Sequence, residues 1–208
     1  MSRILVIIAL GCWVAQAAVA SANELGAPLP TIAEKTRGYE KHGGYFDFYW
    51  DARGGKIWLE INRWQEEFLY LNSLATGVGS NDIGLDRGQL GRTRVVRFER
   101  SGPKVLLIQS NMGFRADSDN LMERRAVREA FAESVLWGFE VAAEEGGRVL
   151  VDASDFFLSD AHRVVQTLAE VDEGEYTLEA SRSAFYLPRT RNFPQNTEVE
   201  VTLTFTSD

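Results

Sequence analysis

Between residues 45 and 152 the chain three times alternates apolar and polar residues up to a short turn and back again. That pattern commits it to antiparallel β structure. Tyr45-Phe46-Asp47-Phe48-Tyr49-Trp50 sets Phe46, Phe48 and Trp50 on one face and Tyr45, Asp47 and Tyr49 on the other. Asp51-Ala52-Arg53-Gly54-Gly55 reads as a turn, and Ile57-Trp58-Leu59-Glu60-Ile61 returns with the same period, which makes a hairpin. Residues 94–99 and 105–109 flank Ser101-Gly102-Pro103 as a second hairpin. Residues 137–142 and 149–152 flank Glu144-Glu145-Gly146-Gly147 as a third.

The remaining segments fill in around these hairpins. Residues 68–74 predict another strand. Residues 76–91 carry Gly77, Gly79, Gly84, Gly88 and Gly91 with Asn81, Asp82 and Asp86, and predict a long loop. One helix is expected over 120–135, capped by Asn120 with Glu123 three residues on. Its apolar face would be Val127, Ala130, Phe131 and Val135, opposite Arg124, Arg125, Arg128 and Glu129. A short helix is expected over 161–168. Near the end, Val199, Val201, Leu203 and Phe205 alternate with Glu198, Glu200, Thr202 and Thr204 as one half-buried strand. The predicted fold is α+β: mainly antiparallel β hairpins with one amphipathic helix packed on the sheet.

The first 22 residues are of another kind. Met1-Ser2-Arg3 gives a positive start, residues 4–10 are an unbroken apolar run, and Ala18-Val19-Ala20 and Ala20-Ser21-Ala22 offer small residues for signal peptidase. This is the grammar of a secretory signal peptide, on a run too short for a comfortable membrane span. An uncleaved anchor helix is the alternative. A lipidated Cys12, after Leu10-Gly11, fits less well because Trp13-Val14-Ala15 follows where a polar tether is expected. Cleavage after Ala22 removes Cys12, the only cysteine, so the mature domain would have neither disulfide nor thiolate. The expected organisation is a signal peptide at 1–22, a leader at 23–42 with Pro28 and Pro30, and a domain at 43–208 truncated at its C-terminus. The expected location is the periplasm or the cell exterior. A formal charge of −8 argues against nucleic acid and anionic membrane surfaces as partners.

No residue pattern identifies a reaction. Zinc chemistry needs converging imidazoles or carboxylates, typically H-E-x-x-H on a helix. The two histidines, His42 in a predicted turn and His162 at a predicted helix start, lie far apart in sequence. There is no G-x-S-x-G elbow. Gly77-Val78-Gly79-Ser80-Asn81 lacks the lysine and following helix of a phosphate loop. Asp82 and Asp86 do not have EF-hand spacing, and read as solvated loop acids ahead of a calcium site. Tyr45 and Tyr49 with Trp58 suggest a sugar-stacking platform, against which cross-strand aromatic packing is the simpler account. No catalytic, cofactor-binding or metal residue is assigned.

Several segments carry a resemblance when taken in order. They are Gly44-Tyr45-Phe46-Asp47-Phe48-Tyr49-Trp50-Asp51, Gly55-Lys56-Ile57-Trp58-Leu59-Glu60-Ile61, Val95-Val96-Arg97-Phe98-Glu99-Arg100, Arg115-Ala116-Asp117-Ser118-Asp119-Asn120, Phe131-Ala132-Glu133-Ser134-Val135, and the stretch from Val151-Asp152-Ala153 through Ser159-Asp160. Together they resemble the N-terminal, non-catalytic region of large secreted bacterial zinc-dependent metalloproteases of metzincin type. The peptidase domain of that family carries H-E-x-x-H-x-x-G-x-x-H, which has no counterpart here, so no catalytic or metal residue carries over. The resemblance implies an accessory region serving folding, positioning or substrate docking, with a downstream peptidase domain as partner. The alternative is a free-standing periplasmic module that binds a sugar or peptide. A hydrolase with paired carboxylates comes third.

Overall fold

The computed structural model describes residues 28–79 and 81–207. The expected signal peptide and Cys12 lie outside the described residues. The fold is α+β and mostly antiparallel sheet. Eight strands form one sheet in the order β1-β2-β3-β8-β7-β6-β5-β4. They are β1 (Glu40–His42), β2 (Phe48–Asp51), β3 (Lys56–Ile61), β4 (Phe68–Tyr70), β5 (Arg94–Ser101), β6 (Lys104–Gln109), β7 (Ser134–Glu145) and β8 (Arg148–Asp152).

All three expected hairpins are present, and turn chemistry explains two of them. Gly102 at φ 58° precedes Pro103, whose ring fixes φ near −65°, and this left-then-right order is a II′ turn. Gly146 and Gly147, at φ 58° and 80°, give the I′ turn between β7 and β8. Strand β7 spans 12 residues, pairing with β6 over 134–140 and with β8 over 141–145, and each pairing contains a register shift, at Leu107/Ile108 and at Val141/Ala143. The sheet therefore bends along β7.

It bends far enough to meet itself. Phe46, just before β2, lies 5.4 Å from Phe98 of β5 and 5.1 Å from Phe68 of β4 between ring centroids, although four strands separate β2 from β5 in the sheet order. The enclosed face is the main core. Phe48, Ile57, Leu59, Ile61, Val96, Phe98, Val105, Leu107, Phe139, Val149 and Val151 fill it, at alternate positions within their strands. A second cluster forms on the back of β2, β3 and β8, where Tyr49, Trp58 and Leu150 are covered by Ile32 of helix α1 (Ile32–Lys35). Thr31 caps α1 in a capping box with Glu34, and Glu144 donates its amide to the Pro30 carbonyl at 3.0 Å. Of the leader expected over 23–42, residues 31–42 are instead built into the fold, because Ile32 has an apolar hollow to fill and β1 has an edge to pair with.

Helix α2 (Leu121–Ala130) corrects another expectation. Asn120 caps it as predicted, its side chain accepting from the Met122 amide at 2.9 Å. The helix stops at Ala130, and Val135 belongs to β7. No residue of α2 is buried, so it is not packed on the sheet. Amphipathicity told which side of the helix is apolar but not that anything covers it. Two further helices follow β8. Helix α3 (Ser154–Phe157) has no sequence forecast, and α4 (Val164–Glu170) takes the place expected for 161–168. Asp160 holds the start of α4 by accepting from the Val164 and Val165 amides at 2.8 and 2.9 Å.

The C-terminal strand is also different from its forecast. It is divided into β12 (Asn196–Glu198), β13 (Val201–Thr202) and β14 (Phe205–Thr206), paired in turn with β11 (Arg191–Phe193), β10 (Ala184–Phe185) and β9 (Thr177–Leu178). Together these make one hairpin arm folded about Pro194 and Gln195. Residues 179–183 stand opposite only 203–204, and 186–190 opposite only 199–200. The surplus is coiled into 3₁₀ turns at Ala180–Arg182 and Leu187–Arg189. The alternation of the outgoing strand was legible, but the interruptions lie in its partner.

Candidate functional site

His42 and His162 sit at different edges of the structure. The His42 ring stacks on Phe48 with centroids 4.6 Å apart, and its Nε2 is 3.4 Å from the Glu40 carboxylate. It borders a cleft of ≈ 420 Å³ between β1 and the arm, opposite Thr190, Arg191 and Asn192. His162 Nδ1 is 2.8 Å from Asn72 Nδ2, next to strand β4. Asp82 and Asp86 are exposed in the glycine loop, which is anchored by Leu85 packed against Val164 and Leu168 of α4. Among the described residues, no three His, Cys, Asp or Glu side chains are placed to hold a metal ion.

The aromatic platform does not form. Tyr49 is buried, and its hydroxyl donates to Glu60 at 2.8 Å. Tyr45 instead packs with Phe46 and Phe68 at the main core, with the Arg63 guanidinium over its ring. The two tyrosines miss a common face because β2 begins only at Phe48, and the backbone bends through 44–46.

The polar groups with unusual surroundings are used structurally. Glu60 is 1% exposed on the second face of β3, and its two oxygens accept from Tyr49 Oη and Arg148 Nη1, both at 2.8 Å. Burial, then the hydrogen bond and charge of Glu60, push the Tyr49 phenol above its ordinary range. Arg97 grips Glu133 through two parallel bonds of 2.8 and 2.7 Å, which hold the Glu133 carboxyl below its usual range. Ser110, also buried, donates to Glu67 at 2.7 Å.

The Arg97–Glu133 bond ties down one end of the feature that stands out on the surface. Between β6 and β7 the chain leaves the sheet over residues 111–133 and carries α2 with it. Met112 (50% exposed), Phe114 (55%), Leu121 (72%) and Met122 (71%) all face solvent there. Phe114 and Phe131 stack on each other at 4.0 Å. A cleft of ≈ 360 Å³ runs between this excursion, at Met112, Gly113 and Ala132, and the sheet, at Thr93, Arg94 and Val95. Beyond it lies β4, an edge strand with Leu69 70% and Leu71 44% exposed, and Leu90 (65%) on the adjoining segment. Clustered exposed apolar side chains of this size mark interaction surfaces more often than isolated ones do. The helical pattern was visible in the sequence; its exposure was not.

Among the described residues no helix is long and apolar enough to cross a membrane. The family model described as "Domain of unknown function (DUF5117)" matches residues 88–208, from the glycine loop through the excursion to the end of the arm. No curated protein and no solved structure matches the chain.

Proposed function

The chain belongs to the DUF5117 family of domains of unknown function, and we propose that it serves as the non-catalytic accessory region of a secreted zinc-dependent metalloprotease of metzincin type. Its part there is to dock and position, by means of the 111–133 excursion. The observation that carries this reading is that α2 buries none of its residues while Leu121, Met122 and Phe114 stand in solvent. A capped helix with none of its residues buried is suited to an apolar groove on a peptidase domain. The ordered resemblance of the segments between residues 44 and 160 supports the choice of family, and the signal-like first 22 residues support export.

The test has two steps. The reading frame beyond Asp208 is sequenced, and its continuation into H-E-x-x-H-x-x-G-x-x-H supplies the peptidase domain. The accessory region is then co-expressed with that domain, in its native form and as Leu121→Asp/Met122→Asp. Loss of co-purification in the double variant is the expected result. A frame with no peptidase motif, or undiminished association of a folded double variant, defeats the reading.

A second reading, a free-standing periplasmic module for a sugar or peptide, draws on the cleft beside His42, whose ≈ 420 Å³ falls in the range of small-ligand sites. A saturating ligand raises thermal stability by mass action. Absence of any shift across a sugar and peptide panel would remove this reading.

A further inference from the structure

We propose that the edge strand over residues 69–75 takes up an extended, acidic segment of a partner protein by strand addition. This goes beyond the docking role of the excursion, and rests on that reading only in placing the partner on the same side of the molecule.

The hydrogen bonds fix which way the strand faces. Val95 accepts from the Ser110 amide at 3.0 Å and so points toward β6. Its neighbours Arg94 and Val96 therefore point at β4, opposite Tyr70 and Phe68. Further along, the Asn72 carbonyl accepts from Gly91 at 2.7 Å, the Leu74 amide donates to Gln89 at 3.0 Å, and the Leu74 carbonyl accepts from Gly88 at 2.7 Å. Every even residue from 68 to 74 thus bonds inward. By the two-residue period, the backbone groups of Leu69, Leu71 and Ser73 point away from the sheet. Leu71 and Ser73 make no backbone hydrogen bond among the described residues.

Side chains follow the same division. Tyr70 packs on the main core, Leu74 against Leu85, Val164 and Leu168, and Asn72 against His162, whereas Leu69, Leu71, Ser73 and Ala75 are exposed. Natural edges are blunted by lysine, proline, bulges or a covering segment. The sequence Phe68-Leu-Tyr-Leu-Asn-Ser-Leu74 has neither lysine nor proline. It has what a strand-addition site requires: unpaired backbone groups for affinity and alternate apolar side chains for specificity.

Charge selects the occupant. Nearby, Arg97, Arg100 and Arg115 are each taken up by a glutamate. Arg94, at the start of the strand beside this edge with its guanidinium over the Tyr70 ring, and Arg92 two residues before it form no ion pair among the described residues. An incoming strand with acidic flanks satisfies them. A second copy of this chain, with a formal charge of −8 and the same two arginines at its own edge, does not.

The probe is a capped peptide alternating valine and threonine with aspartates at both ends, compared with its lysine-flanked counterpart. Hydrogen exchange is followed at single amides on the native chain, and affinity by calorimetry. The acidic peptide is expected to slow exchange at Leu69, Leu71 and Ser73, and the basic one to bind about tenfold more weakly or worse. Leu71→Pro removes an N–H that bonds nothing among the described residues. It should abolish binding while leaving thermal stability nearly unchanged, as edge positions tolerate proline. Unchanged exchange at the three amides with millimolar acidic peptide overturns the proposal, as does undiminished binding to folded Leu71→Pro. Self-association of the free chain, abolished by the same substitution, also overturns it by assigning the edge to a second copy. The Leu121→Asp/Met122→Asp variant separates the two ideas: it breaks docking through α2 and leaves peptide binding at the edge intact.

Discussion

Gly44 and Asn192 are packed so closely that a Cβ built on Gly44 would fall inside the Asn192 carboxamide. The contact joins the strand-rich body to the hairpin arm. Asn192 Nδ2 donates to the carbonyls of His42 and Phe46 at 2.7 and 2.8 Å, and its Oδ1 accepts from Thr197 at 2.8 Å. Phe46 in turn donates its amide to Thr197 Oγ1 at 3.1 Å, and Tyr45 donates to the Phe193 carbonyl at 2.7 Å. One carboxamide thus satisfies the bend at 42–46 and fixes the tip of the arm.

Gly44→Ala should therefore destabilise the protein by about 1–3 kcal/mol through overpacking. Asn192→Ala should cost about 1–3 kcal/mol through unsatisfied carbonyls. Because both changes act on one contact, the double variant should cost clearly less than the sum. Urea denaturation of the four proteins measures this, and strict additivity would show that the contact does not join the two parts.

Glu60 offers a second test. Glu60→Ala should cost about 1–3 kcal/mol, since it orphans the buried Tyr49 hydroxyl; the partly exposed Arg148 keeps solvent and Glu145 at 3.7 Å. Glu60→Gln keeps an acceptor for Tyr49 and should cost less. The order of chemical denaturation midpoints decides, and a Glu60→Ala variant as stable as the native chain would contradict the role assigned to this network.

Acid should weaken the fold through Asp152 and Asp47. Burial pushes the Asp152 carboxyl up, but the hydrogen bonds from Lys56 and Ser154 and the Lys56 charge outweigh it and hold the pKa below the ordinary 3.8. Asp47 follows the same pattern through Lys41 and the Gly44 amide. A carboxyl with a depressed folded-state pKa binds its proton more readily when unfolded. Its contribution is complete above the unfolded value and is lost as pH falls through the folded one. Thermal stability should thus fall steeply below about pH 4, and Asp152→Asn should lessen that slope. An unchanged slope would assign the acid sensitivity elsewhere.

Helix α2 should come apart without the fold noticing. Asn120→Ala removes its cap, a change worth about 1 kcal/mol of helix stability. Since α2 buries nothing, the global unfolding temperature should hardly move, while the amides of residues 122–130 exchange faster with solvent. A fall in the global midpoint comparable to that of Asn192→Ala would mean that the helix is coupled to the core.

The hairpins, their turns, the Asn120 cap and the Phe46/Phe48 face could all be read along the chain. Each depends on neighbours within a few residues: the two-residue alternation, glycine at positive φ, a side chain reaching its own helix. Tyr45 and Tyr49 show where this stops. They share the two-residue alternation with Phe46 and Phe48, yet a bend held by Asn192, some 150 residues away, sends them to different surroundings.

The sequence by itself determined that the chain folds as antiparallel hairpins with apolar faces, because strand period and turn preference are local properties of the backbone. Tertiary structure alone decided three things. The sheet closes so that Phe46 meets Phe98. The last strand is broken by the coils of its partner. And α2 and the Leu69–Leu71 edge remain uncovered while Ile32 finds a hollow. Amphipathic pattern states which face is apolar; only the spatial arrangement of distant segments determines whether another surface covers it.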